Sequence, residues 1–187
     1  MCEASDLAPG SALDVGAGEG GDAIWLAGQG WTVTANDISR PALDRIAAAA
    51  AQRDLAVNCL HADANARGAF PAATFDLVSA QYASIPRTPD HRALHSMLDA
   101  VAPGGTLILV SHDPEPMHQP LDIEHESRPF DADAYVRVDD FAEVLTESGN
   151  WDIEVHEKRP RPPGAASASH HIDDIVLRAR RRPETTP

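Results

Sequence analysis

Apolar and polar positions along this chain follow two periods, and segments of each period take turns. "SALDV" (11–15) is a short apolar run that stops at an acid, the pattern of a buried strand. Glu19 to Gln29 reads as a helix with Gly30 as its stop. "TVTAND" (32–37) is β-branched and predicts a second, parallel strand. Ser39 is placed to cap the next helix, with Pro41 in its first turn. Leu43, Ile46, Ala47 and Ala50 then fall at i, i+3, i+4 and i+7, one apolar face. "AVNCLHAD" (56–63) and "TFDLVSAQ" (74–81) predict a third and a fourth strand. In "TPDHRALHSMLDAVAPGG", Thr88 is the predicted cap and Pro89 the first helical residue, and Leu94, Met97, Leu98 and Val101 form the buried face, with "PGG" as a turn. "TLILV" (106–110) is continuously apolar, as a strand covered on both faces should be.

The rhythm breaks over residues 112–137, which show no clean period and are rich in proline, acid and histidine. This predicts an insert lying over the end of the sheet. Asp139 is the predicted cap of a last helix, with Phe141, Val144 and Leu145 inward and Gly149 at its end. "WDIEVHEKR" (151–159) and "IDDIVLRAR" (172–180) are alternating runs that predict a closing antiparallel pair. Strand–helix alternation followed by such a pair predicts an α/β fold, an open and mostly parallel sheet with helices on both faces. Ligands of such sheets lie beyond the carboxyl ends of the strands, at the switch point. The loops after Val15, Asn36, Ala62, Ser79 and Val110 therefore share one rim.

Length and charge narrow this picture. A chain of 187 residues is expected to form one domain, 1–187, with 112–137 as a substrate-side insert. Its formal net charge of −14 would repel nucleic acid, and the one basic cluster, Arg178 to Arg182, reads as a solvated strand end. No apolar run approaches the ~20 residues a membrane span needs, and "MCEASDLAPGS" has no signal-peptide pattern. The expectation is a cytoplasmic protein, monomer or homodimer, with a small-molecule partner and neither nucleic acid nor membrane. Cys2 and Cys59 lack metal or redox spacing, and Cys59, in an apolar run, is expected to be buried.

The candidate chemistry starts at "LDVGAGEGGDAIWLA" (13–27), where glycines occupy positions 16, 18, 20 and 21. A tight strand-to-helix turn needs unusual backbone angles there, and missing Cβ atoms let a ligand touch the main chain. A dinucleotide or a nucleoside with an amino-acid tail would use such a turn. Gly16, Gly18 and Gly21 fit the dinucleotide spacing, a weak match taken alone. Asp14 and Glu19 flank the turn; carboxylates there oppose a pyrophosphate and favour an α-ammonium or a sulfonium. Asp37, at the end of the second strand, can accept both ribose hydroxyl protons with either ligand, or simply cap a helix. Asp63 is placed to meet the exocyclic amine of adenine, or is an ordinary loop acid.

"LDVGAGEGGDAIWLA", "VTANDIS", "HADA", "FDLVSAQY" and "VAPGGTLILVSHD" resemble, in order and spacing, the successive motifs of class I S-adenosylmethionine-dependent methyltransferases. The resemblance covers roughly residues 11–112 and looks most like small bacterial enzymes related to tellurite-resistance and thiopurine methyltransferases. It implies a Rossmann-like, seven-stranded sheet whose last strand is inserted antiparallel. It further implies S-adenosyl-L-methionine as cofactor, with S-adenosyl-L-homocysteine as product. By position, Asp14, Gly16, Ala17 and Gly18 would face the methionine part. Asp37 and Ile38 would hold ribose and adenine, Asp63 and Ala64 would edge the adenine, and Gln81 with Tyr82 would sit near the methyl group. Family members usually carry a helical segment before the first strand, whereas about ten residues precede Ser11. The lid would then come from 112–137 or from chain further upstream, or the site would be more open.

His112 follows the fifth strand and is the candidate general base or substrate contact; Tyr82 is its catalytic companion, or else a packed aromatic with its hydroxyl in water. His118 and His125 lie among acids and prolines without helical ligand spacing, so no metal site is expected. Two other functions stay open: a non-catalytic cofactor-binding module and a nicotinamide-dependent oxidoreductase.

Overall fold

The computed structural model describes residues 2–113, 131–160 and 173–183. Seven strands form one sheet: β1 (Ser11–Val15), β2 (Thr32–Asp37), β3 (Val57–His61), β4 (Phe75–Gln81), β5 (Val101–His112), β6 (Trp151–Pro160) and β7 (Asp173–Arg181). Their spatial order is β3-β2-β1-β4-β5-β7-β6. The first five run parallel, and β7 inserts antiparallel between β5 and β6. This is the Rossmann-like arrangement the sequence predicts, with the order reversing between β1 and β4.

Helices α1 (Gly21–Gly28), α2 (Arg40–Ala51), α3 (Arg92–Ala100) and α4 (Val138–Ser148) cover both faces. Alternation along the strands decides which face each covers. Ala12, Val33, Ala35, Leu77 and Ile108 pack against Ala23 and Leu26 of α1 and Leu43 and Ile46 of α2. Leu13, Val15, Val78, Leu107 and Leu109 pack on the other side against Leu94 and Met97 of α3 and Phe141 and Leu145 of α4. Each fully buried leucine or isoleucine contributes roughly 1.5–3 kcal/mol.

Several boundaries differ from the sequence expectation for local reasons. α1 begins at Gly21 rather than Glu19, because Gly18 and Gly20 take φ of +54° and +78°, outside helical space. α2 starts as expected, with Ser39 Oγ accepting the Ala42 N–H at 3.4 Å, but its inner face uses Ala42 while Ala47 is exposed. α3 begins at Arg92: Thr88 Oγ1 still accepts that N–H at 3.0 Å, yet Pro89 to His91 form a turn rather than the first helical residues. β5 starts at Val101 and absorbs "PGG" as an irregularity, with its register against β4 shifting between Phe75 and Leu77. The cap of α4 is Arg137 instead of Asp139; Asp140, three residues on, accepts the Arg137 N–H at 2.9 Å. Cys59 is exposed, since β3 is an edge strand.

The basic cluster is consumed locally. Arg178 binds Asp6 and Glu154, Arg182 binds Asp152, and Arg180 and Arg181 donate to the carbonyls of Gly104 and Val101. Among the described residues no helix is long and apolar enough to cross a membrane. Most of the expected insert, residues 114–130 with His118 and His125, lies outside the described residues, as does the 161–172 connection.

Candidate functional site

The rim at the carboxyl ends of β1 and β2 is built from the glycine turn. Gly16 has φ of +68°, and a Cβ there would lie 2.7 Å from Ala83 Cβ, so the turn presses directly on the chain leaving β4. A Cβ on Gly18 would find only the Gly16 carbonyl, at 3.9 Å. That position therefore faces space rather than protein. Gly20 is different: its Cβ would meet Ile46 Cγ1 at 2.6 Å, so its bareness serves packing. The Ala17 N–H donates to the Asn36 carbonyl at 2.9 Å, and the Asn36 amide donates to the carbonyls of Leu60 and Ala62 at 3.1 and 2.9 Å. One buried asparagine thus ties the ends of β1, β2 and β3 together.

Asp37 Oδ2 accepts the Gly18 N–H at 2.9 Å, and Oδ1 accepts the Ser39 N–H at 2.7 Å. The carboxylate is part-buried and its remaining lone pairs stay on the rim. Ile38 next to it is 69% exposed, a large apolar side chain that the fold leaves uncovered. Asp63 is exposed and closes an Asx turn through the Asn65 N–H at 2.8 Å, while Ala64 is buried.

Asp14 is the electrostatic centre of the turn. It is 3% exposed, and its Oδ2 has no hydrogen-bond partner among the described residues. Burial, reinforced by the nearby charges of Asp22 and Asp37 and opposed by the Ala23 N–H, pushes its pKa up to about 7. Burial also raises Asp22, in the first turn of α1. Asp22 and Asp37 thus both lie close enough to Asp14 to act on its ionisation. Glu19 does not join them: Arg45 takes both its oxygens, at 3.0 and 2.8 Å, on the outer surface. The acidity expected from Glu19 is supplied instead by Asp22.

Across the turn, beyond Ala83, lies a second cluster. Gln81 ends β4 with its Nε2 3.5 Å from Ser79 Oγ. Tyr82 follows with φ of +54°, a left-handed conformation that costs a non-glycine residue roughly 1–2 kcal/mol. Its N–H donates to the Val110 carbonyl at 2.8 Å, and its hydroxyl donates to Asp174 Oδ2 at 2.6 Å rather than pointing into water. The other Asp174 oxygen is 3.2 Å from His112 Nδ1. The two rings lie against each other, with centroids 4.6 Å apart and planes tilted by 34°. Asp174 itself is 6% exposed.

An apolar cleft adjoins this cluster. Ala80, Ala83, Leu109 and Ser111 form its sheet side, and Val138 and Phe141 of α4 face them. Arg137, at the edge, and Arg87 both converge on Asp140. Burial works against ionisation of Asp140, but the Arg137 N–H and the Arg87 guanidinium hold its pKa below the ordinary carboxylate value. Among the described residues no cluster of three or more His, Cys, Asp or Glu side chains is placed to hold a metal ion.

A family model described as a methyltransferase domain matches residues 12–105, half of the chain. The chain belongs to this methyltransferase domain family. No curated protein sequence matches it. Solved structures of the family's fold superpose closely at low identity. An S-adenosylmethionine-dependent methyltransferase from Mesorhizobium loti is 20% identical, with 91% of this chain and 90% of that one covered and a TM-score of 0.68. TehB from Haemophilus influenzae is 15% identical over 97% of this chain and 60% of its own, with a TM-score of 0.70. The [4+2]-cyclase SpnF is 19% identical over 97% and 78%, with a TM-score of 0.68. At such identities the likeness shows the fold, and the presence of a cyclase among these structures leaves the reaction to be argued from the site.

Sequence reading places Asp14, Gly16, Ala17, Gly18, Asp37 and Ile38 together, and the fold brings them to one turn. It places Gln81, Tyr82 and His112 together, and they share the neighbouring rim. It misses Asp22, Asp174 and the Arg87–Asp140–Arg137 group. "IDDIV" carries Asp174 between apolar neighbours, but nothing local says which strand lies opposite.

Proposed function

We propose that this chain transfers a methyl group from S-adenosyl-L-methionine to a small-molecule acceptor, leaving S-adenosyl-L-homocysteine. The observation that carries the reading is the buried Asp14 Oδ2, without a hydrogen-bond partner among the described residues and two positions before the glycine turn. A buried carboxyl oxygen without a donor is costly to leave so, and an α-ammonium would supply one. Pyrophosphate would meet carboxyl groups instead, which disfavours a nicotinamide dinucleotide. Residues present thus fit the cofactor: Asp14 and Gly16 to Gly18 toward its methionine part, Asp37 toward ribose, Ile38 against the adenine face, and Asp63 and Ala64 at the adenine edge.

When bound, the cofactor supplies an activated methyl whose carbon–sulfur bond breaks with its electrons staying on sulfur. The chain's task is alignment and exclusion of water, worth up to ~7–11 kcal/mol in well-held systems. Gln81, Tyr82 and His112 border the place where the acceptor would stand. We take 1–187 as one domain, with 112–137 on the acceptor side, acting in the cytoplasm as a monomer or homodimer. The narrower resemblance to tellurite-resistance and thiopurine enzymes points to a soft acceptor; the paired imidazole at the rim points to one with a proton to lose.

Calorimetric titration tests the cofactor. S-adenosyl-L-homocysteine should bind to the wild type at micromolar levels, at least tenfold more weakly to Asp37→Ala, and NADH should not bind. Binding of NADH in preference would overturn the reading.

A further inference from the structure

Helix α3 starts without a cap of its own. His91, in the N-cap position, takes φ of +48°, and its side chain makes no capping bond. The Ala93 N–H donates instead to Asn65 Oδ1 at 3.1 Å, a residue of the loop after β3. The Nδ2 of the same amide donates to the Pro86 carbonyl at 2.9 Å. The Asn65 main chain is held as well: its N–H donates to Asp63 Oδ1 at 2.8 Å, and its carbonyl accepts from Arg92 Nη1 at 3.5 Å. One side chain therefore joins the Asp63 turn to the β4–α3 loop and to the first turn of α3, across 21 and 28 residues of chain.

Pro86 belongs to a second junction. It forms an antiparallel bridge with Tyr135. The Arg87 N–H donates to the Ala134 carbonyl at 2.8 Å, and the Val136 N–H donates to the Ile85 carbonyl at 2.9 Å. This strip ties the chain entering α4 to the chain leaving β4. Ile85 and Val136 of the strip line the apolar cleft beside Ala83. Arg87, in the strip, and Arg137, just after it, both bind Asp140 of α4. Asn65 thus stands between the Asp63–Ala64 turn and the strip.

We propose that Asn65 is a positioning residue that couples the adenine side of the cofactor site to the strip of Ile85–Arg87 on Ala134–Val136, so that bound adenosine strengthens the strip. This rests on the methyl-transfer reading, which puts adenine at Asp63 and Ala64. An amide offers both an acceptor and a donor, and the two junctions use one of each. A ligand that fixes the Asp63–Asn65 turn favours the state in which both bonds are made. It stabilises the strip by its difference in affinity for the made and the broken state. Aspartate at 65 can still cap α3 but has no donor for the Pro86 carbonyl.

The test is amide hydrogen exchange of the full chain, followed by nuclear magnetic resonance with and without saturating S-adenosyl-L-homocysteine. The Arg87 and Val136 amides report the strip; the Gly18 and Ser39 amides, which both donate to Asp37, report the cofactor site. In the wild type the ligand should slow all four, the strip pair by roughly fivefold or more, the lower end of coupling between sites. In Asn65→Asp and Asn65→Ala it should still slow Gly18 and Ser39, with affinity within threefold, and change the strip pair less than twofold. A capping role alone predicts that Asn65→Asp exchanges like the wild type, and that result overturns the coupling. Wild-type Arg87 and Val136 amides that ignore a ligand slowing Gly18 and Ser39 overturn it too, whether or not either variant folds. If the ligand slows none of the four and gives no heat in titration, the cofactor reading itself falls and the coupling with it.

Discussion

Replacing Asp14 with asparagine keeps its shape and removes its charge, so it isolates what the buried carboxyl does. In the folded chain Asp14 keeps its proton up to about pH 7, whereas the ordinary value is 3.8. The native state therefore binds more protons than the unfolded one between these two values. This contribution to stability is complete below about pH 4 and is lost as pH rises through 7. At 1.36 kcal/mol per pH unit, the interval from 3.8 to about 7 sets an upper bound near 4 kcal/mol on the loss. Asparagine has no such slope. Urea unfolding of the ligand-free proteins should thus show the Asp14→Asn difference moving in the variant's favour from pH 4 to pH 8. The ammonium group of a bound ligand reverses the burden by ionising Asp14. In the wild type, S-adenosyl-L-homocysteine should release up to about 0.9 proton per site at pH 6 and about 0.1 at pH 8. Titration in buffers of different ionisation enthalpy measures this directly, and Asp14→Asn should release none. A stability difference independent of pH, or proton release equal in both proteins, would refute the reasoning.

The turn glycines should separate into two classes. Gly18→Ala places its Cβ in open space, so it should fold with a loss of roughly 1–2 kcal/mol and bind S-adenosyl-L-homocysteine at least tenfold more weakly. Gly20→Ala drives its Cβ into the fully buried Ile46, and about 3–4 kcal/mol of destabilisation should lower Tm by roughly 10 °C in thermal scans. Arg87→Met leaves the buried Asp140 carboxylate to Arg137 alone and should cost ~3 kcal/mol in urea unfolding at pH 7. Because the pKa of Asp140 is lowered on folding, that cost should shrink as pH falls below the ordinary carboxylate value of 3.8. Phe141→Trp adds volume at a buried core position and should cost about 1–3 kcal/mol in urea unfolding while leaving S-adenosyl-L-homocysteine affinity within threefold, as titration would show.

Much of this protein was written in local pattern. Short apolar and β-branched runs, the alternation of the last two, helical apolar faces and turn or cap residues marked the seven strands and four helices of the described residues, because burial of one face is decided by neighbours a few residues away. Gly16, Gly18 and Asp37 were legible because a tight turn and a strand-end acid have fixed sequence offsets. Boundaries were less so: the start of α3 moved from Pro89 to Arg92, since a turn and a first helical residue draw on the same amino acids. What tertiary structure alone decided are the partnerships. Glu19 was drawn outward by Arg45, twenty-six residues away, and Asp22 took its place beside Asp14. Asp174 reached His112 and Tyr82 only through the register of β7 on β5, across 62 and 92 residues of chain. A sequence fixes which side chains can ionise or donate; which of them meet, and how dry the meeting place is, depends on strand order and register that no local period encodes.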